Sequence, residues 1–209
     1  MDIVQADEVL AEKYADDIAE LVYSTGPISY DYHFGTRKVH DAVVRGSWLT
    51  PGTLFAYDQT HLALEGDRLM GIEIGFHAPE FRSRAEALGQ VWQPLIASGE
   101  VDEQALKTVA AHAEYASWLN PVTRANRYYI HALAVKPEFR GKQVGVALIS
   151  HAKQQCLDMG FKRLELDVLS DNPAVHFYYS QGLELLVESR APKPEAFGVP
   201  PEWRMGIDL

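Results

Sequence analysis

The chain has 209 residues, 47% hydrophobic and 23% charged, a globular balance that disordered chains lack. Its 29 acidic and 19 basic residues leave a net charge of −10, the wrong sign for gripping nucleic-acid phosphates or anionic lipid. One cysteine, Cys156, excludes an intrachain disulfide, and with no signal-like N-terminus and no apolar run near ~20 residues a soluble, cytoplasmic protein is expected.

Asp7 or Glu8 opens a helical pattern in which Leu10, Tyr14, Ile18, Leu21 and Val22 recur at three- and four-residue steps, and Gly26-Pro27 ends it. Residues 28–35, rich in aromatic rings, read as a loop. A second helix is predicted over Arg37–Leu49. His61–Glu65, Gly66-Asp67 and Arg68–Phe76 read as a β-hairpin. Residues 79–124 change character: Ala85, Leu88, Val91, Trp92 and Leu95 mark one helical segment, and Leu106, Val109, Ala110, Ala113 and Trp118 a second. This stretch reads as a helical insertion between two strands, expected to cover a pocket or to make a homodimer contact. A strand over Arg127–Val135, a turn, a helix over Gly145–Met159 and an alternating strand over Lys162–Val168 follow. A short helix over Pro173–Gln181 and strands over Leu183–Glu188 and Glu202–Leu209 complete the chain. The charge is uneven along this order. Residues 1–80 hold 14 acids and 5 bases, whereas residues 125–209 hold 10 of each.

The densest chemical signal lies between the strand 127–135 and the helix that follows. Arg140-Gly141-Lys142-Gln143-Val144-Gly145-Val146-Ala147 combines small residues, a helix N-terminus and two cations, which suits an anion such as a phosphate. It is neither a P-loop nor a dinucleotide fingerprint, because the glycine spacings of both are absent. No histidine spacing or cysteine pair suggests a metal, so none is expected.

Four pieces in register resemble the GNAT superfamily of acyl-CoA-dependent N-acetyltransferases. They are the strand ending His131-Ala132-Leu133-Ala134-Val135-Lys136-Pro137, the loop from Arg140, the strand Leu164-x-Leu166-x-Val168 leading to Asn172, and Ala174-Val175-His176-Phe177-Tyr178-Tyr179-Ser180-Gln181-Gly182-Leu183. One departure stands out: Gln143 occupies the place of the loop's middle glycine, where a side chain crowds a phosphate if the backbone needs positive φ. The resemblance implies one domain over 1–209, an α/β fold with a mostly antiparallel sheet of six or seven strands, and helices on both faces. It also implies acetyl-CoA as co-substrate and direct transfer of its acetyl group to an amine of a small molecule or peptide.

The same resemblance assigns roles. Leu133, Ala134 and Val135 would pair with the pantetheine arm. Arg140, Gly141, Lys142, Gln143, Val144, Gly145, Val146 and Ala147 would hold the pyrophosphate, with Asn172 and Phe177 nearby. Tyr178 would be the acid for the leaving thiolate and His131 the base for the amine. From the residues themselves, Glu73 is a further carboxylate candidate for the acceptor pocket, and Tyr30, Asp31 and His33 candidates to line it. The acidic front of the chain would steer a cationic amine. The competing readings are an acyl-CoA-binding or regulatory module without turnover, for which Gln143 is the motive, and an interaction protein built on the helical insertion.

Overall fold

The computed structural model describes residues 1–116, 119 and 124–209. A seven-stranded sheet forms the frame, in the order β1-β2-β3-β4-β5-β7-β6. Its strands are β1 (Asp2–Gln5), β2 (Thr60–Glu65), β3 (Arg68–His77), β4 (Tyr128–Val135), β5 (Arg163–Leu169), β6 (Glu184–Ser189) and β7 (Glu202–Asp208). Only β4 and β5 pair in parallel; all other neighbours are antiparallel.

One face carries α1 (Glu8–Ser24), α2 (Pro27–Phe34), α3 (Arg37–Trp48) and the helices between β3 and β4: α4 (Glu80–Ala87), α5 (Gly89–Ala97) and α6 (Glu103–Ala116). Asp7 caps α1 by accepting the Leu10 N–H at 2.9 Å, and the stripe Ala11, Tyr14, Ile18, Leu21 and Val22 is buried against the sheet. Trp48 of α3 is fully buried and donates its indole N–H to the Ala11 carbonyl at 2.7 Å, joining α1 to α3. The opposite face carries α7 (Val144–Asp158) and α8 (Ala174–Ser180), whose Ile149, Ala152, Cys156, Val175 and Tyr178 pack on Ile130, Leu164, Leu166 and Met205. A last helix, α9 (Pro192–Phe197), sits between β6 and β7 in sequence. No helix among the described residues is long and apolar enough to cross a membrane.

Several local expectations change. The aromatic loop is the helix α2: Pro27 fits its first turn, and Gly35 at φ 72° closes it. The first insertion segment is two helices, α4 and α5, meeting at Leu88. Trp118 of the second segment lies outside the described residues. Met159, predicted as the last residue of the helix over Gly145–Met159, is its exposed C-cap. Neither β1 nor α9 is visible in the periodicity, since both are shorter than two helical turns or three strand repeats.

Candidate active site

The sheet opens between β4 and β5. Their pairing covers only Tyr128–Ile130 against Leu164–Leu166, and beyond it β4 continues bonded to β3 alone. His131 sits at the opening. Ile74 pairs with Ala132 while Gly75 pairs with Ile130, so His131 is the extra residue of a β-bulge. The bulge turns its ring toward Phe55, Phe76 and Phe81, with centroids 5.0, 6.1 and 5.8 Å away. Burial alone pushes its pKa down to about 4, so the imidazole is neutral near pH 7. Past the bulge, Leu133, Ala134 and Val135 present a backbone edge with no strand partner on the β5 side, into a cleft of about 1220 Å³.

One end of the cleft is closed by the loop before α7. Gly141 (φ 75°) and Gln143 (φ 65°) both adopt left-handed backbone, so the chain curls and α7 begins with its first N–H groups aimed outward. Gln143 therefore carries a side chain where glycine is favoured, at a cost of roughly 1–2 kcal/mol. Gly145 makes the close approach between α7 and α8, because a Cβ there would stand 3.3 Å from the Phe177 ring. Tyr178, 6% exposed, lies on the cleft wall, and burial pushes its hydroxyl pKa up to about 12, so it holds its proton. Asn172 accepts the Ala174 N–H and donates to the Thr25 carbonyl, both at 2.9 Å, tying the start of α8 to the turn before α2.

The other end is aromatic with an acidic floor. Tyr30, His33 and Phe34 of α2, Phe55, Phe81 and Trp92 form its walls. His33 Nδ1 lies 2.9 Å from the Ser29 carbonyl, so Nδ1 carries the proton and Nε2 the lone pair. Burial, opposed by that hydrogen bond, lowers its pKa. Asp167 and Glu202 supply the floor. Asp167 accepts from Arg204 Nε at 2.7 Å and from the Tyr129 hydroxyl at 3.0 Å. Glu202 is part-buried, and desolvation, then the Asp167 charge, raise its pKa to about 8 against a weaker opposing pull from Arg204. A carboxyl poised near neutral pH in a cleft is suited to proton transfer.

The acetyltransferase (GNAT) family model matches residues 62–183, more than half of the chain. The chain belongs to the GNAT acetyltransferase family. Comparison with curated proteins gives no match. Among solved structures, an N-acetyltransferase from Staphylococcus aureus Mu50 superposes with a TM-score of 0.72 at 15% identity, covering 99% of this chain and 100% of that one. The polyamine N-acetyltransferase of Drosophila melanogaster, which forms N-acetylagmatine, gives 0.59 at 16% identity over 100% of both chains. The PaiA N-acetyltransferase of Thermoplasma acidophilum, solved with coenzyme A, gives 0.52 at 11% identity over 100% of this chain and 98% of that one.

Acetyl-CoA is the co-substrate of this GNAT chain, and the residues present fit it: an unpartnered β4 edge for an extended arm, and outward amides at α7 for a pyrophosphate. Of the residues singled out from sequence, His131, Tyr178, Tyr30, His33, Leu133, Ala134, Val135, Arg140, Gly141, Gln143, Val144, Gly145, Val146, Asn172 and Phe177 all line the cleft. Ala147 does not, because its N–H closes the first helical bond, to Gln143 O at 3.0 Å. Lys142 points to a small neighbouring depression, and Asp31 turns away to accept the Tyr23 hydroxyl at 3.0 Å. Glu73 corrects an expectation: it is 0% exposed on the α7 face of the sheet, away from the cleft, hydrogen-bonded to Tyr128 and His61. Strand alternation places it there, since its neighbours Ile72 and Ile74 fill the core under α1 and α3. The acidic residues of α1 line no part of the cleft either; Asp16 pairs with Arg45 and Asp17 with Lys136. Sequence reading missed Glu202 and Asp167. Asp167 read as one polar position of an alternating strand, and Glu202 as the first residue of the last one; the β5–β7 register, pairing Asp167 with Arg204 and Leu169 with Glu202, puts the two carboxylates on one face.

Proposed function

We propose that this chain acetylates the amine of a small molecule or peptide by direct attack within a ternary complex, and that its acceptor carries one cationic amine on an apolar, ring-sized body. The observation that carries this reading is Glu202: a part-buried carboxyl with a raised pKa in a cleft whose walls are mostly aromatic and which His131 also lines. Glu202 offers a carboxylate to an ammonium, and the aromatic walls favour an apolar body with cation–π contacts to its charge.

The roles follow from the atoms. Glu202 takes the ammonium proton, and an arriving positive charge lowers its pKa toward the ionised form that does so. The amine lone pair then attacks the thioester carbonyl, whose oxygen is polarised by a backbone N–H of β4 near Leu133. The C–N bond forms, the C–S bond breaks, and Tyr178 gives its proton to the leaving sulfur; the second proton, shed by the nitrogen as the amide forms, restores the Tyr178 hydroxyl, and the one on Glu202 leaves to solvent. His131, neutral throughout, orients the amine or a water beside it. The second reading, binding without turnover, draws on the left-handed Gln143. Thiol release from acetyl-CoA across a panel of amines separates the two. Release that is fastest with aromatic monoamines supports the proposal. CoA binding with no release across polyamines, arylalkylamines, amino acids and peptide N-termini supports the second reading.

A further inference from the structure

On the face of the sheet opposite the cleft, three side chains from distant parts of the sequence converge: His61 of β2, Glu73 of β3 and His151 of α7. Their ligand-capable atoms all lie within 4.8 Å of one another. His61 Nδ1 and Glu73 Oε2 are 3.1 Å apart, and the two imidazole rings stand 4.4 Å apart between centroids. We propose that His61, Glu73 and His151 form a binding site for a divalent first-row transition metal, Zn²⁺ above all, which pins α7 to the β2–β3 hairpin.

Three features argue for it. Glu73 has no exposed surface, and a carboxylate taken wholly out of water calls for a positive partner. The one cation in hydrogen-bond reach among the described residues is His61 in its protonated form, 3.1 Å away, and a metal ion would neutralise the same charge while using both imidazoles. His151 Nδ1 is shut off from solvent without a hydrogen-bond partner, which leaves its lone pair or its proton unused.

The donor set selects the ion. Two imidazoles and one carboxylate suit zinc, cobalt or iron and disfavour calcium and magnesium, which take oxygen ligands. Ligand bonds of about 2.0–2.2 Å set tetrahedral neighbours roughly 3.4 Å apart, so the His61–Glu73 pair at 3.1 Å is already at shell spacing and the widest pair must close by up to about 1.4 Å. The other carboxylate oxygen has its outer partner in place: the Tyr128 hydroxyl donates to Glu73 Oε1 at 3.1 Å. Gly75 keeps room for that bond, since a Cβ there would run into both Glu73 Oε1 and the Tyr128 hydroxyl. His61 and His151 remain partly exposed, which gives an ion a way in and a water the fourth position. The separations in sequence, 12 and 78 residues, hide the site from any local motif.

The test is a Co²⁺ titration of the full-length, chelator-treated protein, followed in the visible d–d region, with competition by Zn²⁺. The expected result is one equivalent bound, displaced by Zn²⁺, with a Tm rise of about 5–10 °C at a hundredfold excess over Kd. His151→Asn, at a partly exposed position, should weaken binding by more than tenfold, and His61→Asn likewise. The absence of stoichiometric binding would overturn the proposal in favour of a plain His61–Glu73 ion pair. Binding of equal affinity in both variants would overturn it in favour of a site elsewhere among the eight histidines.

Discussion

Glu202→Gln separates stability from catalysis at one atom. The carboxyl has its pKa raised from an ordinary 4.5 to about 8 by burial and by Asp167. The native state therefore binds this proton more tightly than the unfolded chain, and stability is present below pH 4.5 and lost as pH rises through 8. Each pH unit between those two values is worth about 1.36 kcal/mol, so the ionised carboxylate costs the fold about 3–5 kcal/mol at alkaline pH. Glutamine is nearly the same size and never ionises, so its protein escapes that loss. Urea denaturation at pH 5 and pH 9 should show the stability gap between variant and wild type widening by about 3 kcal/mol in the variant's favour. Activity moves the other way. In wild type only about a tenth of the carboxyl is ionised at pH 7, so kcat/KM should climb about fivefold by pH 8 and about tenfold by pH 9, levelling off above that. The variant should lose that limb together with about 10²–10⁴-fold in rate. If the variant keeps the wild-type pH slope in stability, the carboxyl is not held neutral by the fold. If it keeps the rate, Glu202 is not the base.

Tyr178→Phe should lower kcat by at least tenfold while leaving the Kd for CoA within about twofold, measured by calorimetry, since only the proton donor is removed. His131, neutral above about pH 5, should give a rate loss on change to Asn that is the same at pH 6.5 and pH 9; a loss confined to the low-pH side would make it a titrating base. Gln143→Gly should stabilise the protein by about 0.5–1 kcal/mol in chemical denaturation, because relief of left-handed backbone exceeds the entropy cost of glycine. Gly75→Ala should destabilise by about 1–3 kcal/mol, read in the same assay, because its Cβ collides with Glu73 and Tyr128.

The elements with long periods are legible in sequence and the site's chemistry only in part. The stripes of α1 and α7, the β2–β3 hairpin and the loop at Arg140–Gly145 follow from local patterns that tertiary packing reinforces. The conflict at Gln143 is also local, and its φ of 65° is the conformation that makes glycine matter there. The helix α2 is hidden because Tyr, His and Phe are weak helix formers, and tertiary packing outweighs that preference. The bulge at His131 depends on a register with β3 that no single strand encodes. The acidic floor needs the last strand, β7, to return between β5 and β6, bringing Glu202 back to Asp167 from 35 positions away. The strong acidity of the first 80 residues points to the wrong carboxylates: those on α1 are solvated or paired, and those in the cleft come from the neutral part of the chain.

The most direct test of the central claim is thiol release from acetyl-CoA by wild type and Glu202→Gln, with an aromatic monoamine, a polyamine and an acidic amine as acceptors. The structure predicts release by wild type, fastest with the aromatic monoamine, and collapse of that rate in the variant. No release with any acceptor, or a preference for the acidic amine that survives Glu202→Gln, would contradict it.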